Sequence, residues 1–68
     1  MNKVILEFTC NGHKHTFFKR FSIFGEAVTT NNKDNARSVK EQDVPKVIKK
    51  LVEQFGKENI KDVNPIKV

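Results

Sequence analysis

The sequence predicts a small α+β domain in which an antiparallel sheet of three to four strands packs against one α-helix. Side chains alternate between apolar and polar from Lys3 to Cys10, a turn-forming Asn11-Gly12 dipeptide follows, and apolar residues recur at helical spacing from Val44 to Phe55. A chain of 68 residues supports one modest core, so residues 1–68 are expected to form a single domain. The expected order of elements is β-β-(β)-α-β.

The first two strands are predicted to form a β-hairpin. Asn and Gly tolerate the positive φ angles that a two-residue type I′ turn requires, and a second β-rich run from His13 to Phe24 begins directly after them. A loop of this length pairs Cys10 with His13, and the following pairs then place one set of apolar side chains on a common face. That face, which we expect the helix to cover, holds Leu6, Phe8, Phe17, Phe21 and Ile23.

Two shorter strands and a loop complete the predicted sheet. Ala27 to Thr30 fits a third strand, and the Asn-rich segment from Asn31 to Ser38 has no apolar periodicity and is typical of a surface loop. The last segment, Ile60 to Val68, fits a short strand, and Pro65 favours a position at the edge of the sheet because proline has no amide hydrogen to donate.

The helix is predicted from both its periodicity and its ends. Its apolar residues recur with a spacing of three and four, which places them on one face. Asp43 fits the N-cap, Pro45 is tolerated in the first turn, and Gly56 fits a C-terminal stop.

The sheet face away from the helix suggests the first function. One helix covers one face only, and the predicted register leaves three large apolar side chains on the other. Burying each would contribute roughly 1.5–3 kcal/mol, which favours association. We therefore expect a non-catalytic protein-interaction module that binds a protein partner or a second copy of itself. Its predicted contact residues are Ile5, Phe18, Arg20 and Phe24.

Nucleic-acid binding is the alternative. The chain carries a net charge of +5, and basic and aromatic residues alternate closely between Lys14 and Phe24. Such a surface can neutralise phosphates and stack on bases. In this interpretation Phe18 or Phe24 stacks on bases. The residues predicted to contact phosphates are Lys14, Arg20, Lys46, Lys49 and Lys50.

A zinc-binding hairpin is a minor alternative. Cys10, His13 and His15 share one face in the predicted register, and zinc accepts these ligand types. A structural zinc site needs a fourth ligand, and the sequence suggests none, so we expect no metal and no cofactor. The small core and the absence of a catalytic motif further predict that the protein is not an enzyme and has no small-molecule substrate.

The predicted location is cytoplasmic. A single cysteine excludes an internal disulfide, which fits a reducing compartment. The apolar run from Val4 to Leu6 is too short for a signal peptide, and no stretch approaches the roughly 18 apolar residues that span a membrane. We therefore expect no membrane association.

Overall fold

The computed structural model describes residues 2–68 and confirms an α+β fold with the predicted order of elements. A five-stranded antiparallel sheet packs against one helix, α1 (Val44–Phe55). Four of the strands correspond to predicted ones, and the two-residue β4 was not predicted. The strands are β1 (Lys3–Cys10), β2 (His13–Phe21), β3 (Ala27–Thr30), β4 (Val39–Lys40) and β5 (Ile60–Lys67).

β1 lies at the centre of the sheet. β5 pairs with β1 along one edge and with no other strand of the described chain, so the predicted edge position of this segment is confirmed. Val4 pairs with both Lys67 and Val39, which places β4 on the same edge of β1 as β2. β3 pairs with β2 on its outer side.

The helix begins and ends where the sequence predicts. Pro45 lies in the first turn, and Gly56 follows the last turn with a φ of 95°, a value that glycine adopts without strain. Asp43 precedes the helix, but its carboxylate makes no capping hydrogen bond. Val47 and Leu51 are buried against the sheet. The buried cluster consists of Val4, Leu6, Phe8, Cys10, Phe18, Ala27, Val47, Leu51 and Ile60.

The predicted hairpin register holds only at the turn. Cys10 pairs with His13 as expected, but Phe8 pairs with Thr16, because a β-bulge leaves two residues of β2 opposite one of β1. His15 lies in this bulge with a φ of 60°. A shift of one residue turns every later side chain to the other face. The prediction that Phe18 is exposed is therefore wrong: it is 3% exposed, beneath the helix.

A second bulge, at Lys19, changes the end of β2. Phe18 pairs with Thr29 and Arg20 with Val28, so Lys19 has no partner in β3. Phe21 and Ile23 were predicted to be core residues, and this is wrong: their exposed fractions are 39% and 92%. β2 ends at Phe21, so Ile23 lies in the following turn rather than on a sheet face.

A third bulge lies in β5, on the other edge of β1 and offset from the first by one residue of β1. Glu7 pairs with Asn64 and Thr9 with Lys61, which leaves an extra residue in β5. Asp62 adopts a φ of 53° there. Bulges increase the local twist and bend a strand. The two bulges lie opposite the adjacent residues Thr9 and Phe8 of β1, so they act on the same part of the sheet.

The segment between β3 and β4 is the predicted surface loop. It contains one 3-10 turn, Lys33–Asn35, whose N-cap Asn32 accepts a hydrogen bond from the Asp34 amide. Among residues 2–68, no helix has the length and apolar character of a membrane span.

Candidate functional site

A cleft opens where β2 separates from β1. Pairing between these strands ends at Phe17, and from Phe18 to Phe21 β2 pairs with β3 alone. Near the start of β1, the edge that β2 has left is paired with the short β4. The cleft between β2 and β4 has a volume of about 430 Å³.

The cleft has an apolar floor and a basic rim. Phe18 and Val47, both buried, and the partly buried Val39 form the floor. Six basic residues and one carboxylate, that of Asp43, also line it, which gives a local formal charge of +5, equal to that of the whole chain. The basic residues are Lys3, Lys19, Arg20, Arg37, Lys40 and Lys46.

The charge of the cleft is not compensated by neighbouring carboxylates. In the described part of the chain, the one ion pair joins His15 Nδ1 and Glu7 Oε2 at 3.1 Å, at the opposite end of β1. None of the six basic residues of the cleft has a carboxylate oxygen within 4.0 Å. Their summed field therefore attracts anions to this part of the surface.

A second hollow extends the cleft along the helix. It has a volume of about 480 Å³ and shares Phe21 and Lys46 with the cleft. Lys49, Lys50 and Glu53 line it on the helix side. We call the two hollows together the basic surface; eight basic residues and two carboxylates line it.

The outer wall of the basic surface is held by a side chain of the helix. The Ala27 amide donates to Gln54 Oε1 at 2.7 Å, and Gln54 Nε2 donates to the Ala27 carbonyl at 2.9 Å. Ala27 pairs with Phe21, which lines both hollows. Gln54 thus fixes the distance between the end of β2 and the helix.

The sequence identified part of this surface. Of the five residues predicted to contact phosphates, Arg20, Lys46, Lys49 and Lys50 line it, and Lys14 lies at the hairpin end of the sheet. Five further lining residues were not predicted; two of them flank Arg20 in the sequence, and three come from distant parts of the chain. These are Lys3, Lys19, Phe21, Arg37 and Lys40.

The residues predicted to bind a protein partner do not form one surface. Arg20 lines the cleft, Phe24 is 83% exposed, and Ile5 is half-buried and pairs with Ile66 of β5. Phe18 lies in the floor of the cleft. Only two of the four, Arg20 and Phe24, are exposed.

The hairpin end does not assemble a metal site. Cys10 is buried in the core, and burial raises the pKa of its thiol above the usual 9.0. The bulge separates His15 from the sheet face that holds Cys10. The imidazole of His15 contacts the carboxylate of Glu7 instead. Within residues 2–68, no three His, Cys, Asp or Glu side chains are grouped so as to hold a metal ion. This geometry therefore does not favour the zinc-binding alternative, which stays a prediction.

Comparison with known proteins does not identify the fold or the site. The chain matches no model of a protein family, and no curated protein or solved structure resembles it significantly.

Proposed function

We propose that this protein is a non-catalytic, nucleic-acid-binding module that uses the basic surface. The observation that carries the proposal is the ring of six basic residues around one cleft, none of them paired with a carboxylate. A basic protein of this kind fits a cytoplasmic location, where its single cysteine stays reduced.

The arrangement of charge favours a polyanion over a single small anion. Gathering like charges on one side of a small domain destabilises the folded state through mutual repulsion. A bound chain of phosphates would remove that repulsion and release counterions as it binds. The basic residues continue from the cleft along the helix to Lys49 and Lys50, so a linear ligand can contact many of them at once.

Arginine and lysine contribute to phosphate binding in different ways. Arg20 and Arg37 can each donate two parallel hydrogen bonds to one phosphate. The lysines act as flexible point charges that follow a backbone of variable shape. This combination binds phosphates without selecting a base sequence, because sequence is read through base edges.

Binding of a fluorescent oligonucleotide, measured by anisotropy at several salt concentrations, tests the proposal. We expect the wild-type affinity to fall steeply with salt. Replacing Arg20 and Lys46 together with alanine should weaken binding at least tenfold and reduce the salt slope by about 1 for each side chain removed.

The matched control replaces Lys14 and Lys61 with alanine. This double variant loses the same charge at the hairpin end, where Lys14 lies near the turn and Lys61 pairs with Thr9. It should retain most of the affinity. Equal losses for the two double variants, or wild-type binding that does not change with salt, would contradict the proposal.

A protein partner is the second candidate. The turn after β2 exposes two large apolar side chains, Ile23 at 92% and Phe24 at 83%. Burying them against another protein, or against a second copy of this chain, would be favourable. Light scattering at increasing protein concentration tests self-association. A mass that rises from that of a monomer to that of a dimer, and that stays monomeric in the variant Phe24→Ser, supports this candidate.

A further inference from the structure

One phenylalanine lines the basic surface, and a second, exposed one lies in the turn after β2, next to Gly25, which lines the second hollow. Phe21 lines both hollows and is 39% exposed, and Phe24 follows it in the next turn. Phe21 packs edge-on against the buried Phe18, with ring centroids 5.1 Å apart and an angle of 62° between the rings. This contact fixes the ring of Phe21, so its exposed part is presented in a defined direction.

The turn that presents Phe24 is ordered by hydrogen bonds. The Ser22 amide donates to the Glu26 carbonyl at 2.8 Å, and the Gly25 amide donates to the Ser22 carbonyl at 3.0 Å. The Ser22 hydroxyl accepts from the amides of Phe24 and Glu26, each at 3.2 Å. A turn with four such bonds holds Phe24 in water although burying the ring would be favourable.

We infer that the nucleic acid bound by the basic surface is single-stranded, with bases stacked on Phe24 and Phe21. The inference rests on the proposed function and names its ligand class. Stacking on a side chain needs a base with a free face, and the bases of a duplex already stack on one another. Aromatic rings beside a line of cations are the combination that single-strand binding uses.

The shape of the surface supports the same ligand. Its hollows, of about 430 and 480 Å³, have the size of small-ligand pockets, so a flexible sugar-phosphate chain can enter them. The phosphates of a rigid duplex lie on a convex cylinder. They would reach the basic rim of the cleft but could not enter it.

Three oligonucleotides of equal charge test the inference. They are a dT 12-mer, an abasic 12-mer with the same phosphates and no bases, and a hairpin duplex with the same number of phosphates. The wild-type protein should bind the dT 12-mer at least tenfold more tightly than either of the others. The variant Phe24→Ala should lose about 5- to 150-fold for dT, the range expected for one stacked base, and little for the abasic oligonucleotide.

Matched variants separate stacking from general hydrophobicity. Ile23→Ala removes another highly exposed apolar side chain from the same turn and should leave dT binding nearly unchanged. Phe24→Leu keeps an apolar side chain without the ring face and should behave like Phe24→Ala. Phe21→Leu, which keeps most of the packing on Phe18, should also weaken dT binding.

The outcomes distinguish the two proposals. If the dT and abasic 12-mers bind equally while the Arg20 and Lys46 substitutions still weaken both, the inference is overturned and the proposed function stands. Equal binding of the duplex, or equal losses for Ile23→Ala and Phe24→Ala, also overturns the inference. If the wild-type protein binds none of the oligonucleotides, both proposals fail.

Discussion

The two ends of β1 differ in how their neighbours are held. At its carboxyl end, β1 pairs with β2 on one edge and β5 on the other, and each neighbour has a bulge there, opposite Thr9 in β2 and opposite Phe8 in β5. At its amino end, β2 has separated, and the two-residue β4 takes its place. We call these the closed end and the open end of the sheet.

The difference shows where this small fold has room for a binding site. The closed end is joined by backbone hydrogen bonds and by apolar packing around Phe8, which is 1% exposed. The open end is bridged by side chains: Gln54 holds the outer strand, and Phe18 fills the floor between β2 and the helix. The basic residues of the cleft collect at the end where β1 no longer pairs with β2.

The largest expected effect is a difference in the free energy of unfolding when a phenylalanine is replaced by alanine at each end. Phe8→Ala should cost about 3–5 kcal/mol, because it leaves a cavity in the core of the closed end. A domain of this size has little more stability than that, so the variant should be largely unfolded. Phe24→Ala, the same change at the open end, should alter the free energy of unfolding by less than about 0.5 kcal/mol.

Urea denaturation followed by circular dichroism measures both values. The comparison fails if Phe24→Ala costs more than about 1 kcal/mol. That result would mean that the ring of Phe24 packs on the protein in solution, and it would remove the stacking surface.

A smaller effect is expected where a side chain replaces strand pairing. Gln54→Ala leaves the amide and carbonyl of Ala27 without these partners, which should cost about 1–2 kcal/mol. Hydrogen exchange at the Ala27 amide should also accelerate more than at the amides of β1. Gln54→Glu can still accept from the Ala27 amide but cannot donate to the Ala27 carbonyl. Its free energy of unfolding should therefore lie between those of the wild type and Gln54→Ala.

Gln42→Ala is the control for this substitution, since Gln42 is exposed and its side chain makes no hydrogen bond within residues 2–68. It should leave stability unchanged. Equal protection of the Ala27 amide in wild type and Gln54→Ala would show that the wall of the cleft does not depend on Gln54.

The sequence predicted those features that depend on neighbouring residues. The Asn11-Gly12 turn, the spacing of the apolar residues in α1 and the position of Gly56 are each set within a few residues, and the structure confirms them. The strand Ala27–Thr30 and the edge position of β5 follow from similarly local signals.

The bulges could not be predicted in this way. A regular hairpin extended from Asn11-Gly12 places Phe18 on the sheet face away from the helix. The residue types of Lys14 and His15 do not indicate a bulge. The burial of Phe18 beneath α1 favours the shifted register, and that contact forms only once the helix has docked.

Only part of the cleft could be predicted from the sequence, for a related reason. Lys3 and Lys40 pair across β1 and β4 although they are 37 positions apart, and a two-residue strand gives no periodic signal. Arg20 and Lys46 were identified because each belongs to a locally basic element. Lys3, Arg37 and Lys40 join them in the cleft only through long-range pairing.

The smallest expected effect concerns the backbone of the closed end. Asp62 adopts a φ of 53° in the β5 bulge, a conformation that costs alanine more than glycine. Asp62→Gly should therefore be more stable than Asp62→Ala by about 1 kcal/mol. Lys61, the preceding residue of β5, has no positive φ, so the order should reverse there: Lys61→Gly should be about 0.5–1 kcal/mol less stable than Lys61→Ala.

Thermal and urea unfolding of the four variants give the two differences. Opposite signs at adjacent positions would show that the bulge is present in solution and that the closed end accepts backbone strain at Asp62. The same sign at both positions would mean that β5 is regular there. A regular β5 would pair with β1 in a different register beyond Thr9 and would turn Ile60, now buried against the core, to the other face.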